Sequence, residues 1–211
     1  MDVVIVDYGT GNLRSVHKAL DNAGTSLYGL KIIVSGSPRI IAKADKIILP
    51  GQGSYKQCVD SILSVDGLFD ELNNFVKIRK KPLFGICVGM QLFSQVGYEE
   101  EKSSGFGWIE GVVKRIQLKD KRYKLPHMGW NNLIIKKKDK IFDGIKQNSH
   151  FYFVHSYEFV TKKKEIIFGN VNYEKDIISC IGSENIFGTQ FHPEKSHENG
   201  IKLLTNFLKY Y

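Results

Sequence analysis

Two short runs carry the residue types for acyl-transfer chemistry. Gly85-Ile86-Cys87-Val88-Gly89 has the form G-x-S-x-G of a nucleophile elbow, with cysteine in the serine's place. Its glycines allow a sharp strand-to-helix turn where neighbouring backbones leave no room for a Cβ. Such a turn exposes the Cys87 sulfur at the carboxyl edge of the sheet, where open α/β folds place their sites. The helix N-terminus there favours a thiolate, the form that attacks carbonyl carbon. A thiolate nucleophile needs a base oriented by a third group. Gln190-Phe191-His192-Pro193-Glu194 supplies that pair, because the proline biases His192 towards extended backbone, in which residues two apart share a face. Taken singly, the first run also fits a buried structural cysteine and the second a strand exit with a solvated acid. Together, in the order Cys then His-x-Glu, they point to catalysis. Backbone donors for an oxyanion complete the set: the Val88 amide, and an amide from Pro50-Gly51-Gln52-Gly53-Ser54, with Gly53 as the expected position.

These residues need a scaffold, and the first half of the chain alternates strand and helix. Val3 to Asp7 reads as a strand; Asn12 caps a helix carrying Leu13, Val16, Leu20 and Ala23, which Gly24 stops. Lys31 to Val34 and Lys46 to Leu49 read as strands, the latter broken by Pro50-Gly51. A helical region runs through Val76, then a buried strand over Pro82 to Ile86 enters a helix over Val88 to Val96. The second half is richer in strands: Val112 to Ile116, Leu133 to Ile135, Phe151 to Phe159, Ile166 to Phe168, Ile177 to Ile181 and Ile186 to Phe191. A closing amphipathic helix spans Asn199 to Tyr211. The expected architecture is α/β: one domain over residues 1–211, with a central mostly parallel mixed sheet, helices on both faces and an antiparallel extension.

The 211 residues, 42% hydrophobic and 25% charged, suit one globular domain and exclude a disordered or fibrous chain. No apolar run approaches the ~20 residues of a membrane helix, and the acidic, strand-like start argues against a secretory signal; a cytoplasmic location is expected. Cys58, Cys87 and Cys180 are odd in number and widely spaced, which fits neither a disulfide framework nor a zinc site; no metal or cofactor is expected. The net charge of +8 raises nucleic acid as a partner. The excess lies in separate lysine clusters without an aromatic stacking platform, so nucleic-acid binding is not expected. Asp7 to Gly11 lacks the Lys-Ser/Thr of a P-loop and the third glycine of a dinucleotide fingerprint. His127 and His155 are read as support for the site or an interface rather than as metal ligands.

Cys87-Val88-Gly89-Met90-Gln91 and His192-Pro193-Glu194 resemble the Cys-His-Glu triad of class I glutamine amidotransferases. More narrowly, the chain resembles the branch that serves as glutaminase subunit of imidazole glycerol phosphate synthase. That match rests on Asp7 to Leu13, Leu49 to Gly53, Gly105 to Trp108, Pro126 to Asn131, Phe153 to Tyr157 and Gly188 to Ser196, in family order over nearly the whole chain. The resemblance implies that Cys87 attacks the side-chain amide of glutamine, His192 moves protons and Glu194 orients His192. It further implies that Gln91, Ser156 and Tyr157 bind glutamine, and that ammonia passes to a TIM-barrel cyclase subunit in a heterodimer. It places Asn12, Trp130, Asn131, Tyr152 and Lys195 at the partner face or gate. Gln52 departs from the small apolar residue usual in the oxyanion strand, and Val88 from a common leucine; both positions act mainly through their amides. Other readings are a paralogous glutaminase feeding a sugar-modifying synthetase, a catalytically inactive docking module, and a cysteine peptidase-like relative.

Overall fold

The computed structural model describes residues 1–211. Strands β1 (Asp2–Val6), β2 (Lys31–Ser35), β3 (Lys46–Gly51) and β4 (Leu83–Cys87) alternate with helices α1 (Leu13–Ala23), α2 (Pro38–Ile41), α3 (Tyr55–Ser64), α4 (Leu68–Asn73) and α5 (Val88–Gln91). Strands β5 (Val96–Glu99), β6 (Glu101–Ser104), β7 (Val112–Arg115), β8 (His127–Ile135) and β9 (His150–His155) follow. After them come β10 (Tyr157–Val160), β11 (Ile167–Tyr173), β12 (Lys175–Ser183), β13 (Ile186–Thr189) and helix α6 (His197–Tyr210).

Nine strands form one mixed sheet in the order β2-β1-β3-β4-β13-β12-β11-β8-β9. The β2-β1-β3-β4-β13 half is parallel, and β12, β11, β8 and β9 continue it antiparallel. Continuous burial of β3 and β4 matches the apolar runs Ile47 to Pro50 and Leu83 to Cys87, as expected of parallel strands covered on both faces. Helix α1 forms as its sequence predicts: the Asn12 side chain accepts from Ser15 N at 3.3 Å, Gly24 ends the helix, and Val16, Ala19, Leu20 and Ala23 face inward. It packs on α6, whose Thr205 hydroxyl donates to the Ala23 carbonyl at 3.0 Å.

Several elements differ from the sequence reading, and the differences that bear on the site have local reasons. Pro50 and Gly51 extend β3 instead of breaking it. Pairing with β1 stops at Ile48, so no partner on that edge needs the N–H that proline lacks. The helix after Cys87 ends at Gln91, and Val96 already pairs with Val112. Phe151 to Phe159 is two strands separated at Ser156, where the chain leaves the large sheet for a second one. That second sheet, β10-β7-β5-β6, is additional to the expected mixed sheet with its antiparallel extension.

Topology places the two chemical runs side by side. Late in sequence, β13 inserts next to β4 with Thr189 opposite Ile86. The residue after Ile86 is Cys87, and β13 leads within three residues to His192.

Candidate active site

Cys87 stands at the end of β4 with φ 55° and ψ −111°, a conformation that L-residues rarely adopt and that marks a strained strand-to-helix turn, as the elbow reading requires. The turn is possible because its neighbours lack side chains. A Cβ on Gly89 would overlap the Leu49 carbonyl oxygen, and one on Gly51 would lie 2.8 Å from Val88 Cβ. The elbow and the Pro50–Gly53 strand are therefore in backbone contact, as donors to one shared oxyanion require.

His192 is held from several sides. Its amide donates to the Tyr152 carbonyl at 2.9 Å. The Ser196 hydroxyl donates to the His192 carbonyl at 2.6 Å and accepts from the Tyr152 amide at 3.0 Å. The ring places Nδ1 2.8 Å from Glu194 Oε1, with side-chain exposures of 9% and 2%. Nδ1 donates to the carboxylate, and Nε2 is buried without a partner, left for a reacting group. Burial alone would push the His192 pKa down. Cys87 and the Glu194 carboxylate, both facing the ring, outweigh it and raise the value to about 10.

A cavity of about 300 Å³ is lined by Cys87, Val88, Gly53, Gln91, Ser156, Tyr157, His192 and Lys195. It thus brings together two of the three proposed triad residues, with Glu194 directly behind the imidazole, and every residue the family resemblance assigns to glutamine. The Gln91 side-chain amide donates to Gln190 Oε1 at 3.0 Å and to the Tyr157 carbonyl at 3.3 Å; Gln190 Nε2 lies 3.6 Å from the Cys87 sulfur. Four residues assigned to the partner face lie outside the cavity lining. Trp130 is 48% exposed and stacks on His197 with centroids 5.0 Å apart, which removes it from the core. Tyr152 meets Trp130 edge-on, Asn131 is half-buried beside it, and Asn12 caps α1.

Sequence reasoning missed several contributors. Glu99 also lines the cavity, with Oε2 accepting from the Tyr55 amide at 2.6 Å. Burial raises its pKa, against that amide bond. The overlong helix read after Cys87 ran up to the strand that carries it. Asp7 to Gly11 braces the end of β3. Tyr8 donates its hydroxyl to the Pro50 carbonyl at 2.6 Å, and a Cβ on Gly11 would come within 3.4 Å of the Pro50 ring. Burial raises the Tyr8 pKa well above its ordinary value, so the hydroxyl stays a donor. The departure Gln52 acts here through its backbone carbonyl, which accepts from the Cys58 thiol at 3.6 Å.

The family model for class-I glutamine amidotransferase matches residues 4–210. The chain belongs to the class-I glutamine amidotransferases. Among its relatives is the imidazole glycerol phosphate synthase subunit HisH of Pelagibacter ubique, 47% identical over 208 residues and covering 99% of both chains. The protein of the same name from Cereibacter sphaeroides is 41% identical over 208 residues, covering 99% of this chain and 98% of that one. Among solved structures, a glutamine amidotransferase aligns with a TM-score of 0.72 at 18% identity, over 98% of this chain and 97% of its own. The glutaminase domain of Trypanosoma brucei CTPS with bound acivicin aligns with a TM-score of 0.67 at 17% identity, over 99% and 94%. At such identities the structural likeness is one of fold, and this amidotransferase has the fold of its family.

Proposed function

We propose that this amidotransferase is the glutaminase subunit of imidazole glycerol phosphate synthase, located in the cytoplasm and acting with a TIM-barrel cyclase subunit. The observation that carries the proposal is the meeting of a cysteine elbow and a carboxylate-held imidazole in one cavity. Similarity along the whole chain to subunits of that synthase supports this branch over a paralogue serving a sugar-modifying enzyme. The complete Cys-His-Glu set speaks against a docking module that has lost its chemistry.

In this reading the Cys87 thiolate attacks the side-chain amide carbon of glutamine. The carbonyl oxygen takes up the negative charge and is held by backbone amides of Val88 and Gly53. The His192 imidazolium gives its Nε2 proton to the leaving nitrogen, ammonia departs and a Cys87 thioester remains. Neutral His192 then takes a proton from water, whose oxygen attacks the thioester; glutamate leaves and the thiolate and imidazolium are restored. Glu194 keeps the imidazole in the right tautomer throughout. Glu99, with one carboxylate oxygen not engaged by the Tyr55 amide, suits the α-ammonium of the substrate. Ammonia that reached bulk water would mostly be protonated and lose its nucleophilicity, so a sealed route to an attached acceptor subunit is useful. There it would react with PRFAR to give imidazole glycerol phosphate and AICAR.

The test is glutamate release by the chain together with its cyclase and PRFAR. Cys87→Ala should abolish glutamate release while added ammonium salt still supports the cyclase. Equal glutamate release from both forms would overturn the catalytic assignment, and a natural partner indifferent to PRFAR would overturn the pathway.

A further inference from the structure

The buried histidines His127 and His155 have no part in the steps above, yet they belong to a hydrogen-bonded chain fixed by backbone at both ends. At the outer end, the Asn131 side-chain oxygen accepts the Asn132 amide at 2.7 Å, which makes Asn131 Nδ2 the donor group. It donates to the Asn172 carbonyl at 3.1 Å and to His127 Nε2 at 3.1 Å. His127 Nε2 is then an acceptor, and the proton of the neutral ring sits on Nδ1. That Nδ1 lies 3.0 Å from His155 Nε2 and donates to it. His155 in turn carries its proton on Nδ1 and donates to the Tyr157 carbonyl at 2.8 Å. The inner end demands the same order independently, because a carbonyl only accepts. An extra proton on either ring would set two donors face to face. Burial acts in the same direction, lowering the pKa of His127 to about 4 and of His155 to about 3.

We infer that His127 and His155 are positioning residues for glutamine, a one-way chain of neutral imidazoles that fixes the Tyr157 carbonyl from Asn131 on β8. This deepens the glutaminase reading and rests on it. The Tyr157 carbonyl accepts from both His155 and Gln91, and His155, Ser156, Tyr157 and Gln91 all line the cavity. The outer end of the chain, Asn131, is half-buried and lies on the His127 face of β8, opposite the exposed Trp130, so the polar path to the substrate wall is anchored at Asn172.

A packing role is the competing explanation, since His127 stacks on Phe153 and Tyr173 with centroids 4.8 and 4.1 Å away. Two variants separate the two roles. His127→Phe keeps a stacked ring and deletes the donor; His127→Asn loses the ring but can offer an amide donor towards His155. With the cyclase present, His127→Phe should raise KM for glutamine about 10-fold with a smaller change in kcat, while His127→Asn stays within about 3-fold of wild type. A packing role gives the opposite order. An unchanged KM in the Phe variant, with the wild type active, overturns the inference and leaves the glutaminase reading intact. A wild type that releases no glutamate overturns that reading instead. Nitrogen NMR of the wild-type chain decides the case even if neither variant folds: both rings should be neutral with the proton on Nδ1, and an Nε2–H tautomer at either one overturns the inference.

Discussion

Replacing Glu194 with glutamine removes one charge at nearly constant shape. The carboxylate lies 2.8 Å from His192 Nδ1, and both side chains are almost out of solvent. A hydrogen bond to a charged partner is worth about 1.5–3 kcal/mol and a neutral one about 0.5–1.5 kcal/mol. Glu194→Gln therefore costs the imidazolium roughly 1–1.5 kcal/mol, close to a tenfold fall in its proton affinity. The catalytic loss should be larger, because the amide can turn its NH₂ to the ring and trap the wrong tautomer. We expect kcat to fall by about 10²–10⁴ with KM little changed. The pH dependence has a definite sign. Folded His192 holds its proton up to about pH 10, above its ordinary range. Its contribution to stability is thus fully present below about pH 6.5 and is lost as pH rises through the folded value. In Glu194→Gln that loss should come at lower pH. Denaturant midpoints across this range, with glutamate release by the complex, measure both effects. A variant with wild-type kcat and an unmoved stability profile would refute the role given to Glu194.

Three further outcomes follow from the geometry. Gly89→Ala drives a methyl into the Leu49 carbonyl and should cost about 2–3 kcal/mol of stability together with most activity; a wild-type denaturation midpoint would contradict the elbow packing. His127 and His155 have depressed pKa values, so their contribution is present above about pH 6.5 and is lost as pH falls towards about 4, at up to ~1.4 kcal/mol per pH unit for each. His127→Phe should show a shallower acid slope than wild type, and equal slopes would contradict the buried neutral pair. Trp130→Ala should weaken association with the cyclase about 10–100-fold by titration, and an unchanged affinity would remove Trp130 from the interface.

The parallel half of the sheet was legible in the sequence because Val3 to Val6, Lys46 to Leu49 and Leu83 to Ile86 are short apolar runs bounded by caps and glycines. The two chemical runs were legible for a related reason: each is a local motif whose backbone demands are written in adjacent residues. What was not legible depends on contacts between segments remote in sequence. Whether β3 continues through Pro50 turns on where β1 ends, and the break at Ser156 turns on a second sheet built from β5, β6, β7 and β10. Glu99 was hidden for the same reason, since its strand exists only by pairing with β6 and β7. The histidine chain draws on β8, β9 and the start of β10, so no single stretch of sequence announces it.

Covalent capture of the nucleophile tests the central claim most directly. An electrophilic glutamine analogue, incubated with the complex and followed by peptide mass spectrometry, should leave one adduct, on Cys87. Cys58 and Cys180 should stay unmodified, because burial raises the pKa of both thiols and keeps them from the cavity. An adduct on either of those residues, or none on Cys87 while glutamate is being released, would contradict the account.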